Sequence, residues 1–120
     1  MANSIPSSAR RTDDRTVDPL LAALGDATRR RIVDRLRAGP RTVADIARHL
    51  PVSRPAVSQH LKVLREAGIL TERRVGVRHY FALDAARLDI LRRHFEGLWQ
   101  DVMRAFADYV KEAEHGKKRK

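Results

Sequence analysis

The chain of 120 residues contains no cysteine. This absence excludes disulfide bonds, thiolate metal sites and redox sensing through a thiol. The chain also has no run of apolar residues close to the roughly 18 that a membrane-spanning helix needs. Its first residues lack the apolar core of a secretory signal peptide. The sequence therefore predicts a cytoplasmic protein that does not span a membrane.

Motifs of common enzyme classes are missing as well. The sequence has no glycine-rich phosphate loop and no HExxH zinc motif, and it offers no cysteine nucleophile. Its Asp and Glu residues are dispersed along predicted helix faces, where solvent exposure accounts for them. We therefore predict that the protein is not an enzyme.

Positive charge is what the chain has in excess. Its 25 Lys and Arg residues outnumber its 15 Asp and Glu residues, which gives a formal net charge of +10 at pH 7. Such a chain is attracted to polyanions, and charge alone does not choose between a nucleic acid and an anionic membrane surface. The length suits one domain with a single modest core.

Residues 52–68, with the sequence VSRPAVSQHLKVLREAG, are predicted to form an amphipathic helix. Ser53 can cap its N-terminus, Pro55 fits its first turn, and Gly68 can end it in the left-handed conformation. Its apolar side is formed by Ala56, Val57, Leu61, Val63 and Leu64. On or beside the other side lie Ser58, Gln59, Lys62 and Arg65. Such polar groups bind base edges and phosphates in a DNA major groove, although many amphipathic helices present them only to solvent.

Three helices are predicted before this one. Apolar residues at helical spacing predict a helix over residues 17–24 and an arginine-rich helix over residues 26–38, which Asp26 can cap. Thr42 can cap a third helix over residues 42–50. The short connection between the third and fourth helices is typical of a helix-turn-helix, in which the first helix braces the second across the groove.

After Gly68 the apolar pattern changes to a period of two. Residues 69–75 and 78–83 are predicted to form two strands joined through Gly76 in a hairpin. Its tip is crowded by Arg73, Arg74 and Arg78. Placed directly after a helix-turn-helix, a basic hairpin is typical of a wing that contacts the DNA backbone or minor groove. The alternative is an ordinary solvated hairpin.

Residues 84–112 are predicted to form a last helix with a long and wide apolar stripe. One winged domain can cover only one side of it, so the stripe predicts burial against a second chain, together with the first helix, in an isologous two-fold dimer. The alternative is core packing without dimerisation. The predicted interface residues are Leu20, Leu21, Leu24, Leu88, Leu91, Phe95, Leu98, Trp99, Val102 and Phe106.

The two ends of the chain have a different composition from the middle. Residues 1–16 are polar and are predicted to form a flexible arm, and residues 113–120 are predicted to form a disordered basic tail. The domain between them, residues 17–112, is predicted to be mainly α with a small β-hairpin. Its predicted order is α-α-α-α-β-β-α, a winged helix-turn-helix that dimerises through its first and last helices.

Three segments carry a family resemblance: LGDATRRRIVDRL, TVADIARHLPVSRPAVSQHLKVLREAGIL and RRVGVRHYFAL. With the order of elements they resemble the ArsR/SmtB family of bacterial winged-helix repressors over about residues 18–106. The resemblance implies a homodimer that binds a palindromic operator and usually represses. It also implies that DNA is released when a metal ion or an oxidant binds, as in many members.

The resemblance allows the usual sensor positions to be tested against this sequence. Thiol-type sites place cysteines just ahead of the Asp of the helix before the recognition helix, whereas here Thr42 and Ala44 precede Asp45. The other common site pairs Asp and His near the start of the last helix with His and an acid further along the partner's last helix. This chain keeps Asp84, but the remaining positions are Ala86, Gly97 and Gln100. Neither site is supported.

The five histidines are scattered and show no close pairing on one helical face. No cofactor is therefore predicted, because a zinc or nickel site needs several ligands converging near 2 Å. A non-standard nickel or zinc site that joins a carboxylate to His79, His94 or His115, across the dimer if necessary, stays open as an alternative.

The sequence thus predicts a sequence-specific transcriptional regulator that acts as a repressor. Its predicted partners are double-stranded operator DNA and a second copy of itself. Membrane contact is not predicted. The alternatives are a nickel- or zinc-responsive regulator, a regulator switched by a protein co-regulator, and a basic module for RNA or protein interaction. The residues predicted at the major groove are Ser53, Arg54, Ser58, Gln59, His60 and Lys62, with the hairpin arginines Arg73, Arg74 and Arg78 on the backbone or minor groove.

Overall fold

The computed structural model describes residues 15–119, and the side chains of residues 15–116. In chain order the elements are α1 (residues 15–23), α2 (Ala27–Leu36), β1 (Arg41–Thr42), α3 (Val43–Arg48), α4 (Arg54–Ala67), β2 (Leu70–Val75), β3 (Arg78–Leu83) and α5 (Ala85–Arg119). The prediction of a mainly helical fold with a small hairpin is confirmed. Within residues 15–119, none of the helices has the length and apolar character needed to cross a bilayer.

The helix-turn-helix begins and ends where local side-chain chemistry predicts. Thr42 Oγ1 accepts a hydrogen bond from the backbone N–H of Asp45 at 3.2 Å, and Ser53 Oγ accepts one from Ala56 at 3.3 Å. Each hydroxyl thereby satisfies a donor that the first turn of a helix leaves unpaired. Gly68 has φ of +94° and ends α4 in the left-handed conformation.

One core lies beneath α4 and joins all the helices. Val57, Leu61 and Leu64 are its contribution from α4. The prediction that Val63 belongs to this apolar side is wrong, because its side chain is 39% exposed. Val63 lies about 100° around the helix from Leu64, outside the narrow line that faces the core.

The sheet has three antiparallel strands in the order β1-β3-β2, one more than the predicted hairpin. The extra strand is Arg41–Thr42, in which Arg41 pairs with Phe81 and Thr42 with Tyr80. Two residues are too few to show a period, so only the contact with β3 defines this strand. It ties the start of α3 to the hairpin.

α5 starts on the body of the domain and then leaves it. Asp84 Oδ1 caps it by accepting hydrogen bonds from the backbone of Ala86 and Arg87, and Leu91 is buried in the core. Residues 95–116 are all exposed. The chain is accordingly elongated, with extents of 73 × 33 × 20 Å.

Helical structure extends beyond both predicted domain boundaries. The last helix was predicted to end at residue 112 and to give way to a disordered tail, whereas α5 continues to Arg119. Its final residues are mostly Lys, Glu and Ala, which have high helix propensity, and one glycine does not stop it. Of the predicted arm, residues 15 and 16 are helical, and residues 1–14 lie outside the described residues.

Candidate nucleic-acid interface

The outer face of α4 presents the polar residues that the sequence singles out. Arg54, Ser58 and Lys62 follow one another at intervals of four, so they form one line along the helix, and Gln59 lies beside it. All four side chains are exposed. The cap residue Ser53 is exposed at the start of the same helix. This face therefore offers hydroxyl, amide and cationic groups together, while the opposite face is buried.

His60, the sixth residue predicted at the groove, lies differently. Its side chain is only 24% exposed, and its Nδ1 is 3.9 Å from Oδ2 of Asp26. Asp26 caps α2 by accepting a hydrogen bond from the backbone N–H of Arg29 at 3.0 Å. That hydrogen bond is the largest of the effects that lower the pKa of Asp26. The ring of His60 therefore lies on the side of α4 that faces α2, and its contact with a base stays a prediction.

The hairpin places its three predicted arginines on two faces. Directly paired residues of antiparallel strands share a face, and successive residues alternate. The pairs Arg73 with Tyr80 and Val75 with Arg78 put Arg73 and Arg78 on one face, whereas Arg74 pairs with His79 on the face directed toward α4. All three arginines are exposed. They stay predicted contacts to the DNA backbone or minor groove.

The turn of the hairpin consists of Gly76 and Val77. Gly76 has φ of +62°, as a two-residue turn with glycine in its first position requires. The Val77 side chain is 99% exposed at the tip. The predicted wing contacts are all basic and do not include this apolar residue.

A cleft of about 490 Å³ separates the hairpin from the helix-turn-helix. Three arginines border it: Arg48 of α3 and Arg54 at the start of α4 on one side, and Arg78 of β3 on the other. Arg48 was not among the predicted residues, because its position beside the hairpin depends on the fold. Its Nη1 donates a hydrogen bond to Asp45 Oδ1 at 3.1 Å, so part of its charge is neutralised.

The candidate metal ligands are not brought together. Among residues 15–116, no three His, Asp or Glu side chains are grouped so that they could hold a metal ion. His79 binds Glu72, with 2.8 Å between Nε2 and Oε2, and His94 packs edge-on against Phe95. His115 is exposed on the projecting part of α5.

The predicted dimer residues fall into two groups. Leu20 and Leu91 are buried in the core of the single chain, with 0% and 6% of their surface exposed, so they have almost no surface to offer a partner. Leu21, Leu24 and Leu88 are partly buried against that core. At least half of the surface of the others is exposed; these are Phe95, Leu98, Trp99, Val102 and Phe106.

Comparison with known proteins shows which family the chain is related to. The sequence model of the "Bacterial regulatory protein, arsR family" matches residues 26–72, from the cap of α2 into β2. The HTH-type transcriptional regulator Rv2034 of Mycobacterium tuberculosis is 45% identical over 96 residues, which cover 80% of this chain and 90% of that protein. The chain belongs to the arsR family of bacterial regulatory proteins.

Further members show the same relationship. The transcriptional repressor SdpR of Bacillus subtilis is 39% identical over 66 residues, which cover 55% of this chain and 73% of that protein. An ArsR-like transcriptional regulator from Rhodococcus sp. RHA1 has a similar structure, with a TM-score of 0.69 and 29% identity over 78% of this chain and 88% of that one. This arsR-family protein is a DNA-binding transcriptional regulator and not an enzyme.

Proposed function

We propose that the protein is a repressor that binds a palindromic operator as a homodimer. In this proposal α4 of each copy enters the major groove of one half-site, and the hairpin β2–β3 acts as a wing on the neighbouring backbone or minor groove. Membership of a DNA-binding family supports the choice of DNA as the partner. The observation that carries the homodimer is the apolar face of α5.

That face is large and continuous. Eight large apolar side chains on the projecting part of α5 are between 39% and 70% exposed; they are Phe95, Leu98, Trp99, Val102, Met103, Phe106, Tyr109 and Val110. Monomeric proteins rarely expose contiguous apolar patches of this kind. The alternating steps of three and four residues from Phe95 to Val102 are those by which one helix packs along another. A second copy of α5 presents a matching surface, as an isologous interface requires.

The dimer determines the form of the operator. A two-fold axis that relates two α4 helices requires two inverted half-sites about one helical turn apart, which is roughly 10 base pairs. On the outer face of α4, Ser58 and Gln59 are the candidates for base contacts, and Arg54 and Lys62 are the candidates for phosphate contacts. From the wing, Arg73, Arg74 and Arg78 supply charge to the backbone or minor groove.

The usual metal-sensing residues of the family do not account for the signal that controls DNA binding by this protein. The usual cysteine ligands are absent from the whole chain, and the last-helix positions Ala86, Gly97 and Gln100 carry no metal-binding group. Nickel or zinc at a non-standard site, and a protein co-regulator, are the two alternatives that an experiment must separate. The site of action follows from the partner: a regulator of bacterial genes acts in the cytoplasm, where the DNA lies.

One experiment tests both the operator and the signal. Genomic fragments are selected on the full-length protein in buffer alone, with added Zn²⁺ and with added Ni²⁺, and the bound sequences are compared. We expect an inverted repeat with half-sites about 10 base pairs apart, bound at least about a thousandfold more tightly than random duplex. An operator without two-fold symmetry that one chain suffices to bind would contradict the dimer. Loss of binding in one metal alone would identify that metal as the signal.

A further inference from the structure

Glu72 is an acidic residue in the basic wing, and it joins the wing to α4. Its Oε1 accepts a hydrogen bond from Arg65 Nη1 of α4 at 2.5 Å. Its Oε2 lies 2.8 Å from His79 Nε2 of β3. Because a carboxylate can only accept, the Nε2 of His79 donates this bond. Both oxygens of one carboxylate are therefore engaged by two different elements.

These contacts brace the part of the wing that the core does not hold. The base of the hairpin is anchored by Leu70 and Phe81, which are 4% and 7% exposed. From residue 71 to residue 78 every residue is exposed, and a two-stranded ribbon by itself is marginally stable in water. Glu72 lies one pleat beyond Leu70 on the face toward α4, so it is placed to hold the ribbon at a fixed distance from that helix.

The charge of Glu72 is unfavourable for DNA binding when considered alone. A carboxylate in a wing that faces phosphates repels them, and it also neutralises Arg65. Arg65 follows Ser58 and Lys62 at helical spacing, so it would otherwise add a cation near the reading face of α4. An acid at this position therefore weakens the general attraction to DNA unless its contacts contribute something else.

We propose that Glu72 is a positioning residue for operator binding: by holding Arg65 and His79 it fixes the wing relative to the recognition helix. With that geometry fixed, Arg74 on the α4 face of the wing and the base-reading residues of α4 engage the operator at the same time. The inference rests on the proposed placement of α4 in the major groove and of the wing on the adjacent backbone. Glu72 increases the preference for the operator at the expense of binding to random DNA.

The test compares Glu72→Gln with Glu66→Gln. A glutamine amide offers one acceptor oxygen and no negative charge, so it cannot accept from both Arg65 and the Nε2–H of His79, and both hydrogen bonds lose their charge assistance. Glu66 lies beside Arg65 on the exposed side of α4, and among the described residues its carboxylate has no hydrogen-bond or ion-pair partner. Both variants remove one negative charge from the same region, but only the first releases the wing.

Binding is measured by fluorescence anisotropy on operator and on random duplex at several salt concentrations, and urea unfolding verifies that each variant is folded. We expect Glu72→Gln to bind the operator roughly tenfold more weakly, a size typical of the interaction between residues in direct contact. We expect it to bind random duplex as tightly as the wild type or more tightly. We expect Glu66→Gln to bind both duplexes at least as tightly as the wild type.

If Glu72 positions the wing, the effects of Glu72→Gln and Arg74→Ala on operator binding should not be additive. Arg74→Ala should weaken operator binding in the wild type and should weaken it several-fold less in the Glu72→Gln background, because the released wing no longer presents Arg74 correctly. Tighter binding of both duplexes by Glu72→Gln, or equal effects of Arg74→Ala in the two backgrounds, would overturn the proposal. A different result is expected if the wing does not contact the DNA backbone at all. In that case Arg74→Ala, as a single substitution, would leave operator binding unchanged.

Discussion

The imidazole of His60 lies beside the residue that caps the second helix, with Nδ1 3.9 Å from Oδ2 of Asp26. His60 and its neighbour Gln59 in α4 therefore have different surroundings. Gln59 is exposed on the outer face, whereas the side chain of His60 is 24% exposed and turned toward α2. Stability and DNA binding should therefore respond differently to substitutions at these two positions.

The first prediction concerns His60. We expect His60→Ala to lower the free energy of unfolding by about 1 kcal/mol, the usual size for a partly buried contact, and Gln59→Ala to change it by less than about 0.5 kcal/mol, as for an exposed side chain. Urea unfolding of the two variants followed by circular dichroism checks this. Equal stability of the two variants would show that the contact of His60 with α2 contributes nothing.

The second prediction concerns base recognition by Gln59. If its amide makes a bidentate contact, Gln59→Ala should lose roughly 1 to 3 kcal/mol of discrimination at one base pair of each half-site. The measurement is the affinity for a set of operators in which each base pair is changed in turn. Equal weakening on operator and random duplex would count against a base contact.

The third prediction concerns the wing. Arg74→Ala should weaken binding to all duplexes and reduce the slope of log K against log salt by about 0.9, the value for one phosphate contact. Arg104→Ala is the matched control: it removes the same charge from the projecting part of α5, where Arg104 pairs with Asp101 at 3.4 Å outside the apolar stripe. An unchanged slope in Arg74→Ala would remove this residue from the interface.

The fourth prediction concerns the apolar face of α5. Trp99→Glu should convert the proposed dimer into a monomer, because it places a charge at a position where Trp99 is 61% exposed and a partner would cover it. Gln100→Glu introduces the same charge at the next position of α5, outside the stripe, and should remain dimeric. Light scattering after size-exclusion chromatography measures both masses. A wild-type protein that elutes as a monomer at micromolar concentration would contradict the interface.

The fifth prediction concerns acid stability. The hydrogen bond from Arg65 is the main cause that lowers the pKa of Glu72 below its ordinary value of 4.5, and the bond from His79 adds to it. A lowered pKa in the folded state stabilises the fold above the ordinary value, and this contribution is lost as the pH falls through the lowered value. As the pH is lowered beneath about 4.5, the urea concentration at the unfolding midpoint should therefore decrease. The decrease should be less steep in Glu72→Gln.

Much of the helix-turn-helix follows from sequence because its signals are local. Ser53 and Gly68 mark the two ends of α4 through a hydrogen bond and a backbone conformation that involve only near neighbours. The same is true of Thr42 at the start of α3. The outward position of Ser58, Gln59 and Lys62 follows from helical periodicity once the buried line is known. Chain-local chemistry thus determined the ends of the two helices and the outward polar face of α4.

Only the tertiary structure decided what residues distant in sequence do to one another. The strand Arg41–Thr42 exists because β3 lies beside it. His60 faces the cap of α2, and Glu72 joins α4 to the hairpin, because the packing of the core brings those elements into contact. The core likewise takes Leu91 and leaves Phe95 exposed one turn later. Periodicity identifies an apolar stripe, but the end of the domain body determines where the stripe stops being core and becomes a free surface.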